Sequence, residues 1–195
     1  MLSLVKKRVV IVGIPGVGKT TVVRKVVEMM EKKNIDVESV VYGTIMFEEA
    51  KKFGIKHRDE MRRLPIDEQR KLQIKAAEKI ANMEKDFLII DTHLIINTKE
   101  GYWPGLPLDV LRALSPTNII LIEALPNEIF LRRMKDSDRC RDLVDEAEIK
   151  REIEIARSML STTGIILGIP FLIVMNKENH IEEAANQILV ALEVL

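Results

Sequence analysis

The sequence predicts a three-layer α/β fold: a five-stranded parallel sheet with helices on both faces. Two observations carry this. Short, β-branched apolar runs alternate along the chain with stretches of helical spacing. The runs are also too continuously apolar to have a solvated face, so they need cover on both sides. A chain of 195 residues, 47% hydrophobic and 31% charged, suits one such domain and is short for two. No repeat, linker or low-complexity tract divides it, so residues 1–195 read as a single domain.

The elements follow in order. Residues 8–12 (Arg-Val-Val-Ile-Val) form the first strand. Val22, Val23, Val26, Val27, Met29 and Met30 then mark a helical stripe across residues 21–33. A second strand is expected over 37–42, then a helix over 44–52 that stops at Gly54. A short helical segment around 58–63 would place Arg58 and Arg62 on one face through their i, i+4 spacing. Pro65 fits the first turn of a helix running to about residue 83, with Asp67 and Glu68 favourable to its dipole. Residues 87–91 are the third strand. Residues 101–107, with two Gly and two Pro, read as a shaped loop. The fourth strand is 118–123, followed by a helix from Pro126 and a long helix over about 144–162. The last strand is 171–175, and 181–194 is an amphipathic closing helix.

Bulk properties exclude several classes of function. Thirty basic and thirty acidic residues cancel, so no global field recruits nucleic acid or an anionic membrane. The lone cysteine, Cys140, excludes an internal disulfide framework and a cysteine-rich zinc site, and suits a reducing cytosol. The first strand begins almost at once, so no cleavable leader is expected. The longest apolar run, 164–175, is broken by Pro170 and is too short to span a bilayer. A cytoplasmic enzyme without a membrane partner is the expectation.

The chemistry is concentrated first in Gly13-Ile14-Pro15-Gly16-Val17-Gly18-Lys19-Thr20, which satisfies G-x-x-x-x-G-K-[ST] between a strand and a helix. Glycines let the backbone wrap an anion, and several N–H groups converge with the helix dipole on one spot. Lys19 adds a point charge for the β- and γ-phosphates, and the Thr20 hydroxyl can ligate Mg²⁺. Gly13 to Thr20 therefore form the expected nucleoside-triphosphate cradle. Asp91, at the end of the third strand, is placed to hold Mg²⁺ or its water near Thr20.

Residues 132–142 hold five cations in a neutral protein, Arg139 and Arg141 among them, as a lid closing over phosphates would. The competing reading is a solvated loop whose aspartates pair with those cations. Gln69 and Gln73 share a helical face and can present amides to a base edge, or simply face solvent. His93, two positions past Asp91, is expected at the carboxyl edge of the sheet, where ligands bind. A guanine-reading switch is disfavoured. Asn176-Lys177-Glu178-Asn179 lacks the aspartate of N-K-x-D, and Asp91-Thr92-His93-Leu94 lacks the glycine of D-x-x-G.

Taken together, these residues resemble the archaeal-type adenylate kinases, a branch of the P-loop nucleoside monophosphate kinases. The likeness spans essentially the whole chain. It rests on the phosphate loop, Tyr42-Gly43-Thr44 with Met46-Phe47-Glu48, Arg58-Asp59-Glu60-Met61-Arg62 and Asp91-Thr92-His93. Gly101-Tyr102-Trp103-Pro104-Gly105-Leu106-Pro107 and Asp138-Arg139-Cys140-Arg141-Asp142 complete it. The resemblance implies the P-loop NTPase fold, an acceptor-binding segment at about 43–83 and a short lid at about 133–145. It implies Mg-dependent transfer of a phosphoryl group from ATP to AMP, in a homotrimer. Lys19, Arg139 and Arg141 would be catalytic, Gly13 to Thr21 would bind ATP, and Gly43, Thr44, Arg58, Arg62, Gln73 and His93 would bind the acceptor. One departure stands out. Asp-Thr-His replaces the bacterial Asp-Gly-Phe-Pro-Arg, so an arginine commonly used for the acceptor phosphate is missing there. Arg58 and Arg62 are the candidates for its role, with His93 assisting.

Overall fold

The computed structural model describes residues 6–98, 100–135 and 145–194, with every side chain among them except those of Asp59 and Arg62. Its centre is a parallel sheet of five strands in the order β2-β3-β1-β6-β7: β1 Lys7–Val12, β2 Val37–Val41, β3 Phe87–Asp91, β6 Asn118–Glu123 and β7 Phe171–Met175. Every residue of β3 is buried, as are Val9–Val12 of β1 and 119–123 of β6. Strands buried on both faces cannot alternate in polarity, and this is why their sequences read as unbroken apolar runs.

The covering helices are α1 Lys19–Glu31, α2 Tyr42–Lys51, α3 Ile66–Ala81, α4 Leu108–Leu114, α5 Pro126–Lys135, α6 Glu146–Leu167 and α7 Ile181–Ala191. Helix α1 packs on α7, α3 on both α2 and α4, and α5 on α6. In α1, Val22, Val23, Val26 and Met30 recur at helical spacing and are buried against the sheet. Among the described residues no helix is long and apolar enough to cross a membrane.

The chain departs from the sequence expectations at several points. Residues 58–63 form a 3₁₀ helix, not an α-helix. With three residues per turn, positions i and i+3 eclipse, so the i, i+4 argument for Arg58 and Arg62 sharing a face does not hold. Helix α2 begins at Tyr42, two residues early, because the Tyr42 ring is buried. Pro65 stands one position before α3, with an extended ψ of 146°, rather than inside its first turn. The Gly/Pro-rich stretch is half of an antiparallel hairpin, β4 Ile95–Thr98 with β5 Gly101–Pro104. Helix α4 had no counterpart in the sequence reading. Helix α6 runs five residues past the expected end because Gly164 admits the Phe171 ring: a Cβ there would lie 2.5 Å from Phe171 Cδ1. The stop comes instead from Gly168, left-handed at φ +65°, with Pro170 beyond.

Sheet order positions the site. The connection leaving β1 heads toward β2 and the one leaving β3 heads across to β6, so a crevice opens at the carboxyl ends of β1 and β3. Ile11 and Val41 both lie level with Asp91 in register. Three chain reversals therefore arrive at one edge together. Truncating Ile90, fully buried in β3 between β1 and β2, removes packing that this alignment needs. Ile90→Ala is expected to lower unfolding free energy by about 3 kcal/mol, read from the urea midpoint; an unchanged midpoint would contradict the burial described.

Candidate active site

The turn between β1 and α1 is Gly13-Ile14-Pro15-Gly16-Val17-Gly18, with Gly16 at φ +91° and Gly18 at φ +80°, values that side chains strain. A Cβ at Gly13 would sit 2.8 Å from the Ile122 carbonyl oxygen, so the loop is pressed onto the end of β6. Ile14, Pro15, Gly16, Val17, Gly18, Lys19, Thr20 and Thr21 form one wall of a groove of about 510 Å³. Gly13 stands behind that wall, and its carbonyl accepts a hydrogen bond from His93 Nδ1 at 3.0 Å. Since a carbonyl only accepts, Nδ1 carries the proton.

Asp91, Thr92 and His93 form the floor. The Lys19 ammonium is bonded to Asp91 Oδ1, and Thr20 Oγ1 donates to Asp91 Oδ2 at 3.1 Å. Lys19 and Asp91 are both buried. Sequence reasoning paired Asp91 with Thr20, and the two are in contact. It assigned Lys19 to phosphate alone and missed that, without a ligand, Asp91 is its partner. The carboxylate and hydroxyl form a small all-oxygen donor set. That suits Mg²⁺, which keeps several waters and takes substrate phosphates as ligands.

A second part of the lining comes from β2, α2, the 3₁₀ helix and α3, through Val41, Tyr42, Gly43, Met46, Arg58, Met61, Gln69 and Gln73. The Arg58 guanidinium lies directly on Gly43: a Cβ there would be 2.3 Å from Arg58 Nη2. The Tyr42 hydroxyl donates to the Gln73 carbonyl, tying α2 to α3, and burial pushes its phenol well above the ordinary value. Gln69 Nε2 donates to the Leu64 carbonyl at 2.8 Å. Thr44 is exposed and does not line the groove. The Arg62 side chain, and Arg139 and Arg141 altogether, lie outside the described residues.

Three functional neighbours escaped the sequence reading. Arg132 and Arg133 were counted among the loop cations, yet they occupy the last turn of α5 and reach back to the phosphate loop. Arg133 Nε donates to the Pro15 carbonyl at 2.9 Å and its Nη2 to Glu152 at 2.6 Å. Arg132 Nη1 reaches the Val17 carbonyl at 3.3 Å and its Nη2 pairs with Glu128 at 3.3 Å. Gly105, just past β5, lies so close beneath His93 that a Cβ would meet its carbonyl oxygen at 2.1 Å. The signal for Gly105 was present in the Gly-rich motif; for the arginines it was their density. Beside them, burial and the Glu148 carboxylate push the Tyr102 phenol up to about 12, keeping it a donor that ties the hairpin to α6.

With this geometry in view, the likeness to known proteins is informative. Residues 12–150 match the family described as AAA domain. The adenylate kinase of Methanocaldococcus jannaschii is 42% identical over 189 residues, covering 96% of this chain and 98% of that protein. That of Sulfurisphaera tokodaii is 44% identical, covering 92% and 96%. That of Pyrococcus horikoshii is 41% identical, covering 95% of each. Among solved structures, the shikimate kinase of Bacteroides thetaiotaomicron superposes with a TM-score of 0.57 at 16% identity, covering 96% of this chain and 98% of its own. The shikimate kinase of Aquifex aeolicus gives 0.54 at 23%, covering 95% and 96%. These distant structures share the fold alone. The full-length likeness settles the family: the chain belongs to the adenylate kinases, in their archaeal branch.

Proposed function

We propose that this groove transfers the γ-phosphoryl group of ATP to AMP, reversibly and with Mg²⁺, giving two ADP. One observation carries the reading. The phosphate loop and the Gly43–Arg58–Gln73 segment line a single groove, and Lys19 and Asp91, bonded to each other, line it too. Two nucleotide sites on one cleft are what in-line transfer between two phosphates requires.

In this reading the backbone N–H groups of the phosphate loop, Pro15 having none, and Lys19 bind the ATP phosphates. Arg58 and Gln73, with Gly43 giving Arg58 its seat, bind AMP, and Arg62 and His93 complete that side. Thr20 and Asp91 would hold Mg²⁺, which supplies neutralising charge to the phosphates. An oxygen of the AMP phosphate attacks the γ-phosphorus while its bond to the β-bridging oxygen breaks. No covalent enzyme intermediate forms. Lys19, freed from Asp91 by the arriving phosphates, and the lid arginines Arg139 and Arg141 spread positive charge over the transferring group. Closure of the lid over about 133–145 excludes water, which would otherwise compete as acceptor. A homotrimer in the cytoplasm accompanies the reading, by resemblance only; sedimentation equilibrium tests the assembly.

The test is Mg·ATP turnover against a panel of monophosphates. AMP should give ADP at least about tenfold faster than CMP, UMP or GMP, and preference for another acceptor would reassign the enzyme. Lys19→Ala should keep a wild-type circular dichroism spectrum and lose on the order of a hundredfold in turnover; undiminished turnover would remove Lys19 from the mechanism. Arg58→Ala should raise the KM for AMP about tenfold while the KM for ATP moves little, since a charge-assisted contact to one substrate is lost. Equal effects on both substrates would argue against its place on the acceptor side.

A further inference from the structure

Asn176 opens the Asn-Lys-Glu-Asn stretch that fails as a guanine reader, and the mechanism above gives it no task. It directly follows β7, two strands away from β1, and is 7% exposed. Its backbone N–H donates to the Glu123 carbonyl at 2.7 Å, fixing it to the end of β6. Its side-chain Nδ2 donates to the Val17 carbonyl at 2.8 Å, inside the phosphate loop. The amide orientation is dictated, because a carbonyl facing it can only accept. A Cβ on Gly18 would lie 2.6 Å from the same Nδ2, so the loop rests on this amide.

In a trans peptide the C=O and the following N–H point in opposite directions. Holding the Val17 carbonyl toward Asn176 therefore turns the Gly18 N–H away from it. Gly18 lines the groove, whereas Asn176 stands behind the loop. Arg133 does the same for the Pro15–Gly16 peptide from α5. Converging N–H dipoles repel one another when no anion is bound, so a nest needs its outward carbonyls held if it is to be ready for phosphate.

We propose that Asn176 is a positioning residue for the phosphate cradle, orienting the Gly18 N–H toward the ATP phosphates through the Val17 carbonyl. The proposal rests on the ATP-binding half of the functional reading above. Asn176 is neutral and outside the groove, so its variants report on loop geometry and not on lost charge at the substrate.

The experiment titrates MgATP and AMP separately into the full-length wild type, Asn176→Ala and Asn176→Asp, and follows the Gly18 amide resonance by ¹⁵N NMR. Asn176→Ala should weaken MgATP about tenfold and shrink the ligand-induced shift of the Gly18 amide, with AMP affinity held within about twofold. Asn176→Asp keeps the side-chain shape but cannot donate when ionised, and should weaken MgATP at least as much. Three results would overturn the proposal: MgATP affinity within about twofold of wild type in both variants, ATP and AMP affinity falling together, or loss of folding in both variants, which would make the residue structural. Wild type that binds MgATP yet turns over no AMP would sink the reaction assignment and leave this comparison intact.

Discussion

Contact between Lys19 and Asp91 is the constraint on which the site depends. The first residue of α1 and the last of β3 carry opposite charges, and both are buried. Burying either charge without a partner would be costly, because desolvation of a single buried charge costs several kcal/mol or more. Each is thus the other's counterion in the fold. In the reading proposed above, phosphate would offer Lys19 another partner and Mg²⁺ would offer Asp91 one, so that binding would exchange partners without exposing a lone charge.

That exchange works only if the pieces are delivered to one place, and the sheet does this. Register between β1, β3 and β2 sets Ile11, Asp91 and Val41 level, so the phosphate loop, the acidic floor and the Gly43 wall leave the sheet side by side. The outer strands contribute from behind. β6 supplies the carbonyl against which Gly13 is packed and the one that anchors Asn176. Helix α5 returns Arg133 to the Pro15 carbonyl and Arg132 to the Val17 carbonyl, the latter arginine also lining the groove. The Pro15 and Val17 carbonyls of the loop are held by Arg133 and by Asn176 with Arg132.

Legibility of the sequence followed how local the determinants were. Residues 87–91, 118–123 and 171–175 were read at their observed bounds. The first two are buried almost throughout and declare themselves by composition, and the third is an equally apolar run although Phe171 and Ile173 are exposed. The phosphate loop was legible for a related reason: its glycines, lysine and threonine sit at fixed spacing in one segment. The hairpin over Ile95–Thr98 and Gly101–Pro104 was not, because four-residue strands have too little alternation to outweigh two Gly and two Pro. The 3₁₀ turn at Arg58–Arg63 was mistaken for α-helix because the two differ by a fraction of a residue per turn. Arg132, Arg133 and Asn176 were recognised as residues but not as partners of the loop. They meet it across sequence separations of 115 to 159, which no local pattern encodes.

The same arrangement explains how a protein of zero net charge can gather cations beside its phosphate cradle. Arg132, Arg133 and Lys135 end α5, where the helix dipole favours positive charge. Glu128 and Glu152 pair with the two arginines, and carbonyls of Val17 and Pro15 each accept a further bond from them. Their charge is therefore partly balanced within the protein. In the reading proposed above, attraction for phosphate would draw on Lys19 and the aligned backbone, which are directional and short in range. Such a site discriminates by geometry, admitting an anion that fits the loop while leaving polyanions of other shapes with little global field to follow.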